Sequence, residues 1–338
     1  MDSAGTALDV RDVVVSPGTW SRRAAAEREV NMRILSVAVV SVLAMLFIGG
    51  PAAPDRDTPG WLVTPEWLAG HLFDPDLRVL DVRPDVHAYL AGHVPTAVHL
   101  SESSLRGPSD GMPAQYLPPE LLALLLERAG VGDGDRVVVY SDGENVLGAT
   151  MTAYVLEKLG HGAHVLDGGF GAWDARHVSS QRYPARRDAQ FSVRRARDTA
   201  VDAAAIGRLL ARPGTVFVDA RPEAAYRGAL RTWMRNGHIP GALNVEWRRL
   251  VDPANPHRFR PAPELRAVFA DEGLQPWMEV VVYCGTSREA SLEYGVLRHV
   301  LGFQGVRLYE GSWTDYAARP ELDVEIGPQP PRPAMAHR

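Results

Sequence analysis

Four short blocks occur twice in this chain, in the same order, and the repetition limits the folds open to it more than any other feature. Val79-Leu80-Asp81-Val82-Arg83-Pro84 is answered by Val216-Phe217-Val218-Asp219-Ala220-Arg221-Pro222. Gly92-His93-Val94-Pro95 is answered by Gly237-His238-Ile239-Pro240, and Val137-Val138-Val139-Tyr140 by Val280-Val281-Val282-Tyr283. Leu166-Asp167-Gly168 returns as Leu308-Tyr309-Glu310-Gly311, with one residue inserted. Self-similarity in a fixed order means one supersecondary unit used twice. A chain of 338 residues is long enough for each copy to bury its own core.

Within each copy the pattern is strand, helix, strand, helix. Val137–Tyr140 and Val280–Tyr283 are continuous apolar runs, as expected of strands covered on both faces of a parallel sheet. Leu121 to Arg128 has helical character. Met151, Val155, Leu156 and Leu159 recur at helical spacing and stop at Gly160, as does the run Leu292, Val296, Leu297, Val300 and Leu301 before Gly302. The expected fold class is therefore α/β: two tandem domains, 61–175 and 199–323, each a mainly parallel sheet flanked by helices. Between them, 176–198 carries Arg176, Arg182, Arg186, Arg187, Arg194, Arg195 and Arg197 without periodicity, and is expected to be a solvated linker lying over both domains. The proline-rich tail 324–338 is expected to be loose.

A net charge of −5 offers no general attraction for nucleic acid, so an anionic substrate would need a local positive site. One cysteine excludes an intramolecular disulfide. Residues 1–53 read as a leader: Ile34 to Ile48 is apolar, preceded by Arg33 and followed by Gly49-Gly50-Pro51-Ala52-Ala53, small residues suited to signal-peptidase cleavage. Met32 is an alternative start. Export, to the periplasm, is the expectation; an uncleaved membrane anchor is the alternative, although the run is short for a bilayer core of ~30 Å at ~1.5 Å per residue.

The chemistry concentrates on Cys284. It ends the second apolar run, and in an ungapped overlay Ser141 stands at its place in the first copy. Keeping a scaffold twice and a thiol once fits one working domain and one supporting domain. A loop leaving a parallel strand for a helix turns backbone N–H groups inward, and the helix N-terminus adds positive potential. Such a nest is expected to lower the thiol pKa and to hold an anion or a persulfide. Gly285 lets the backbone turn, Thr286 and Ser287 offer hydroxyls, and Arg288 would add a positive charge if it faced inward. Glu289 would raise the thiol pKa from inside the loop, so it is expected to face outward or to pair with an arginine. Asp81, Arg83, Asp219, Arg221, His93 and His238 recur in the copy without the thiol and read as scaffold. Trp173 and Trp313 read as packing residues. His161 and His164 have no third partner for a metal, and no metal or cofactor is expected.

The paired Asp-x-Arg-Pro and Gly-His-[Ile/Val]-Pro blocks, with a strand ending in Tyr283-Cys284-Gly285-Thr286, resemble the tandem-domain rhodanese sulfurtransferases over about Leu62 to Asp323. The resemblance implies an inactive first domain and a catalytic second one. The Cys284 thiolate would take a sulfane sulfur from a small anionic donor as a persulfide and pass it to cyanide or a thiol. It maps the active-site loop onto Cys284, Gly285, Thr286, Ser287, Arg288 and Glu289, with Ala290 next in line. Thiosulfate is the expected donor, with 3-mercaptopyruvate as the alternative. Where related chains use an arginine after the second Asp-x-Arg block this one has Ala225, and Arg227 and Arg231 are candidate replacements. Two other function classes stand beside this reading. A cysteine phosphatase would need an arginine at position 290, where this chain has Ala290. A non-catalytic sulfur-binding or partner-binding module would be compatible with Glu289 and Ala225.

Overall fold

The computed structural model describes residues 59–142, 145–194 and 199–329. The expectations for 1–53, for Arg195 and Arg197, and for the tail beyond 329 lie outside the described residues. Among the described residues no helix is long and apolar enough to cross a membrane.

Two five-stranded sheets form, parallel throughout. In the first, the spatial order is Leu62–Val63, Ala163–Leu166, Arg136–Tyr140, Leu77–Asp81, Val98–His99. In the second it is Ala200–Val201, Gly305–Tyr309, Glu279–Tyr283, Thr215–Asp219, Leu243–Asn244. The two orders are identical when the copies are overlaid, so the four repeated blocks do mark a duplicated α/β unit. Each unit also carries a small antiparallel hairpin, Arg106–Ser109 with Met112–Tyr116 in the first and Val251–Asp252 with Asn255–Phe259 in the second.

The central strands form because Val137–Val139 and Val280–Val282 are β-branched and their side chains pack on both faces. Val138 and Val281 face outward clusters within their own domains, the first holding Leu68, Val79 and Trp173, the second Ile206, Phe217 and Trp313. Val137, Val139, Val280 and Val282 face inward, into one apolar cluster that runs through both domains. Helices Leu147–Lys158 and Arg288–Gly295 lie in that shared layer. The second helix continues as a π turn over Val296–Val300 before Gly302, at φ 77°, ends it.

The repeated polar residues build the same clamp twice. Arg83 binds Asp81 and donates to the Gly92 carbonyl, while the Tyr140 hydroxyl donates to Asp81 and accepts from Val94 N–H. Arg221 binds Asp219 and donates to the Gly237 carbonyl, and the Tyr283 hydroxyl accepts from Ile239 N–H. All four charged groups are buried, and removing one partner of a buried pair costs about 3–5 kcal/mol. The scaffold reading of these residues therefore stands. His93 and His238 are fully buried, with their rings on backbone carbonyls.

Two expectations about the connecting segments need correction. Residues 176–194 lie on the first domain: Ser180 forms a β-bridge with His93, Arg187 pairs with Asp135, and Arg194 N–H donates to the Leu159 carbonyl. The start of the tail is likewise held, by a bridge from Glu325 to His238 and by Gln329, whose side-chain oxygen accepts from Asn244 N–H. Both segments supply the backbone partners that the two buried histidine strands would otherwise lack.

Candidate active site

Cys284 is the first residue past the carboxyl end of the second sheet's central strand, the position where open parallel sheets bind ligands. The loop it opens is fixed from one side by the first turn of helix Ser312–Ala317. Trp313 N–H donates to the Cys284 carbonyl at 2.8 Å, and Thr314 donates to the Gly285 carbonyl through both N–H (3.1 Å) and hydroxyl (2.8 Å). Cys284 N–H in turn donates to the Ser312 hydroxyl at 3.3 Å. With the carbonyls of Cys284 and Gly285 engaged there, N–H groups of Thr286 and Ala290 are left to point at the sulfur, where both donate. Gly285 is required by close approach: a Cβ there would come within 2.9 Å of the Trp233 ring. Ser287 closes the loop at φ 65°, a left-handed conformation that costs a non-glycine residue about 1–3 kcal/mol, and its hydroxyl donates to the Thr286 carbonyl.

The electrostatics differ from the expectation. Cys284 has no exposed surface. Burial pushes its thiol well above the usual range, and the nearby Glu289 carboxylate pushes the same way; the two N–H donors pull back without cancelling them. Glu289 thus stands near the thiol, half-buried, and among the described residues it has no cationic partner. One of its oxygens is buried without a hydrogen bond. One turn along the same helix, Glu293 is wholly buried and neither oxygen has a hydrogen-bond partner among the described residues; burial, then the nearby Asp219, pushes its carboxyl well above the usual range.

Arg288 turns away from the thiol. Its guanidinium makes two hydrogen bonds, of 3.0 and 2.6 Å, to Glu102 in the first domain. With side-chain exposures of 27% for Arg288 and 7% for Glu102, the pair is less dear to break than a fully buried one, yet it is strong enough to keep this arginine out of the loop. A different cation arrives instead. Arg106, from the first domain's hairpin, donates to the Thr286 carbonyl at 3.0 Å and to its hydroxyl at 3.3 Å; its Nε is buried without a partner, and no carboxylate pairs with it among the described residues. Tyr116, across the same hairpin, buries its hydroxyl beside Ser287. Tyr116 also lines a cavity of about 860 Å³ that includes Met112, Glu310, Gly311 and Arg208.

Arg227 is on the surface, paired with Glu223, and Arg231 is exposed; neither is bonded to the loop among the described residues. Ala225 is buried. The segment between the Asp219–Pro222 and Gly237–Pro240 blocks serves the loop through Trp233, which covers Gly285 and donates to the Thr314 hydroxyl. His161 and His164 are each engaged by a backbone carbonyl, of Ser192 and Gly60. Arg106, Tyr116, Glu102 and Trp233 were missed by the sequence reading. The available signal lay in the hairpins, where Arg106 and Tyr116 stand at the places of Val251 and Phe259 in the second copy.

Comparison with known proteins agrees with this geometry. A sequence profile of the rhodanese-like domain matches twice, over residues 64–176 and 202–319. A protein of Synechococcus elongatus provisionally named a thiosulfate sulfurtransferase is 41% identical over 306 residues, 88% of this chain and 95% of its own. A thiosulfate sulfurtransferase of Corynebacterium glutamicum is 32% identical over 290 residues, 82% and 94% of the two chains. The crystal structure of SseA from Escherichia coli, described as showing the rhodanese fold and mechanism of 3-mercaptopyruvate sulfotransferases, superposes with a TM-score of 0.67 at 26% identity, covering 75% of this chain and 99% of its own.

Proposed function

The chain belongs to the rhodanese-like family and is a sulfurtransferase, and from that premise we propose that the sulfur is carried on Cys284. The observation that supports this reading most is the placement of the only thiol at the end of the central strand, with N–H groups of Thr286 and Ala290 directed at its sulfur. Attack by that sulfur on the outer sulfur of the donor gives a persulfide, whose outer atom carries negative charge. Fixed N–H donors in a water-poor loop stabilise such charge more than they would in water.

Thiosulfate is the donor we assign. The two relatives with that activity in their names support it, and so does the supply of cations. Among the described residues Arg106 is the one arginine at the loop free of a carboxylate, and a single guanidinium beside the Tyr116 hydroxyl suits a compact sulfonate head. The alternative, 3-mercaptopyruvate, rests on the likeness to the Escherichia coli structure. Cyanide or a thiol is the acceptor class. We keep export as the localisation, on the strength of Ile34 to Ile48 and the small residues after it; amino-terminal sequencing of the mature protein checks it.

The test is thiocyanate formation from cyanide with each donor, together with the mass of the Cys284 peptide after donor alone. The wild type is expected to gain one sulfur on that peptide. Cys284→Ser is expected to lose at least about a thousandfold in rate; retention of activity in the serine variant would end the proposal.

A further inference from the structure

The thiol poses a problem that the loop N–H groups do not solve. Cys284 is buried, and every strong influence on it except the two N–H donors and the Arg221 charge favours the protonated form. A thiol is a poor nucleophile, so the proton has to leave as the sulfur attacks. The groups that face this region are few. Arg221 and Tyr283 lie beneath the loop, Tyr116 and Arg106 come from the other domain's hairpin, and Glu289 and Glu293 come from the helix that follows. Both tyrosines are held above their usual range by burial, the arginines are already protonated, and burial pushes the Glu293 carboxyl towards its protonated form. Glu289 is the base that remains. It stands near the thiol in the same loop, has one buried oxygen without a partner, and has no cationic partner among the described residues, since Arg288 is held by Glu102.

Resting on the assignment of Cys284 as the sulfur carrier, we propose that Glu289 is a catalytic residue that accepts the Cys284 proton during sulfur uptake and returns it during sulfur release. In the first half-reaction Cys284 Sγ bonds to the outer sulfur of thiosulfate and the bond between the two donor sulfurs breaks. Its electron pair leaves with sulfite, and the thiol proton passes to Glu289. The charge of the carboxylate and the dianionic donor becomes the charge of an ionised persulfide and dianionic sulfite, so the step balances without another reactant. In the second, cyanide attacks the outer persulfide sulfur, thiocyanate departs, and the Cys284 sulfur recovers the proton from Glu289. The proton never leaves the site, which suits a thiol with no exposed surface.

This role is opposite in sign to the alternative, in which Glu289 merely burdens the thiol with a nearby negative charge. Glu289→Gln separates them, since it removes the charge and the basicity while keeping a hydrogen-bonding oxygen. Alkylation of Cys284 by iodoacetamide as a function of pH is expected to begin at lower pH in the variant than in the wild type. Sulfite release in a single turnover with thiosulfate at pH 7 is nonetheless expected to slow by a factor of about 10²–10⁴, the usual contribution of a positioned acid or base, and to recover as pH is raised towards the variant's thiol pKa. Glu289→Asp, which keeps the base, should fall between the two, and it serves as the reporter if the glutamine variant does not fold. Sulfite release at pH 7 that is unchanged or faster in Glu289→Gln would overturn the proposal. Failure of the wild type to gain a sulfur on the Cys284 peptide would instead overturn the carrier assignment, whatever the glutamate variants do.

Discussion

The mouths of the two sheets share a strand order, an Asp–Arg–Tyr clamp and a buried histidine, yet one opens on a thiol and the other on Ser141, beside a cavity of about 440 Å³. In each case the hairpin of one domain reaches the other domain's strand ends. At the first mouth, the second domain's hairpin brings Phe259, whose N–H donates to Asp167, and the His257 carbonyl, which accepts from Gly168 N–H. At the second mouth, the first domain's hairpin brings Arg106 and Tyr116 to Thr286 and Ser287. The exchange is reciprocal in shape and unequal in chemistry. The first domain carries Ser141 where the second carries the thiol, but its hairpin reaches the loop that the thiol opens.

The sharpest way to break this comparison is to move the thiol. Ser141→Cys placed in a Cys284→Ser background is expected to leave thiocyanate formation at least about a thousandfold below wild type, because Val251 and Phe259 offer no cation or hydroxyl there. Recovery to within tenfold would show that the shared scaffold alone makes a site. A smaller effect is expected from Arg106→Met. Losing a hydrogen-bonding charge to an anion costs about 1.5–3 kcal/mol, so KM for thiosulfate should rise by a factor of about 10 to 150, with kcat changed less. An unchanged KM would return donor binding to the second domain alone.

The smallest expected effect concerns stability. In the ungapped overlay Thr150, hydrogen-bonded to the Leu147 carbonyl and to Ser291, stands where the second copy buries Glu293. The folded pKa of Glu293 is raised, so above the unfolded value, about 4.3, the unfolded chain is favoured by ionising while the folded one is not. That loss grows with pH up to the folded pKa. Glu293→Gln should therefore stabilise the protein by about 1 kcal/mol or more at pH 8 relative to its effect at pH 4. Thermal unfolding at the two pH values checks it, and an equal effect at both would mean that Glu293 is ionised when folded.

Much of this was legible in the chain. The repeated blocks carried the sheet order, because each is a strand end whose polar residues close the same clamp. The single cysteine after Val280–Tyr283 carried the position of the thiol. The reading failed one turn later, at Glu289, and left the direction of Arg288 open. From the loop alone, an arginine inward and a glutamate outward is the economical arrangement, and Glu102 reverses it from 186 positions away. The linker and tail were misread for a related reason: their sequences lack periodicity, while their partners are backbone groups of His93 and His238.

What the sequence by itself determined is the duplicated α/β unit and which copy holds the thiol, since hydrophobic period and residue identity are local properties. Only the tertiary structure decided the direction in which its surroundings push that thiol and the source of the cation at its loop. Desolvation and charge interactions depend on distance through space, and Arg106 reaches Thr286 across 180 positions of chain.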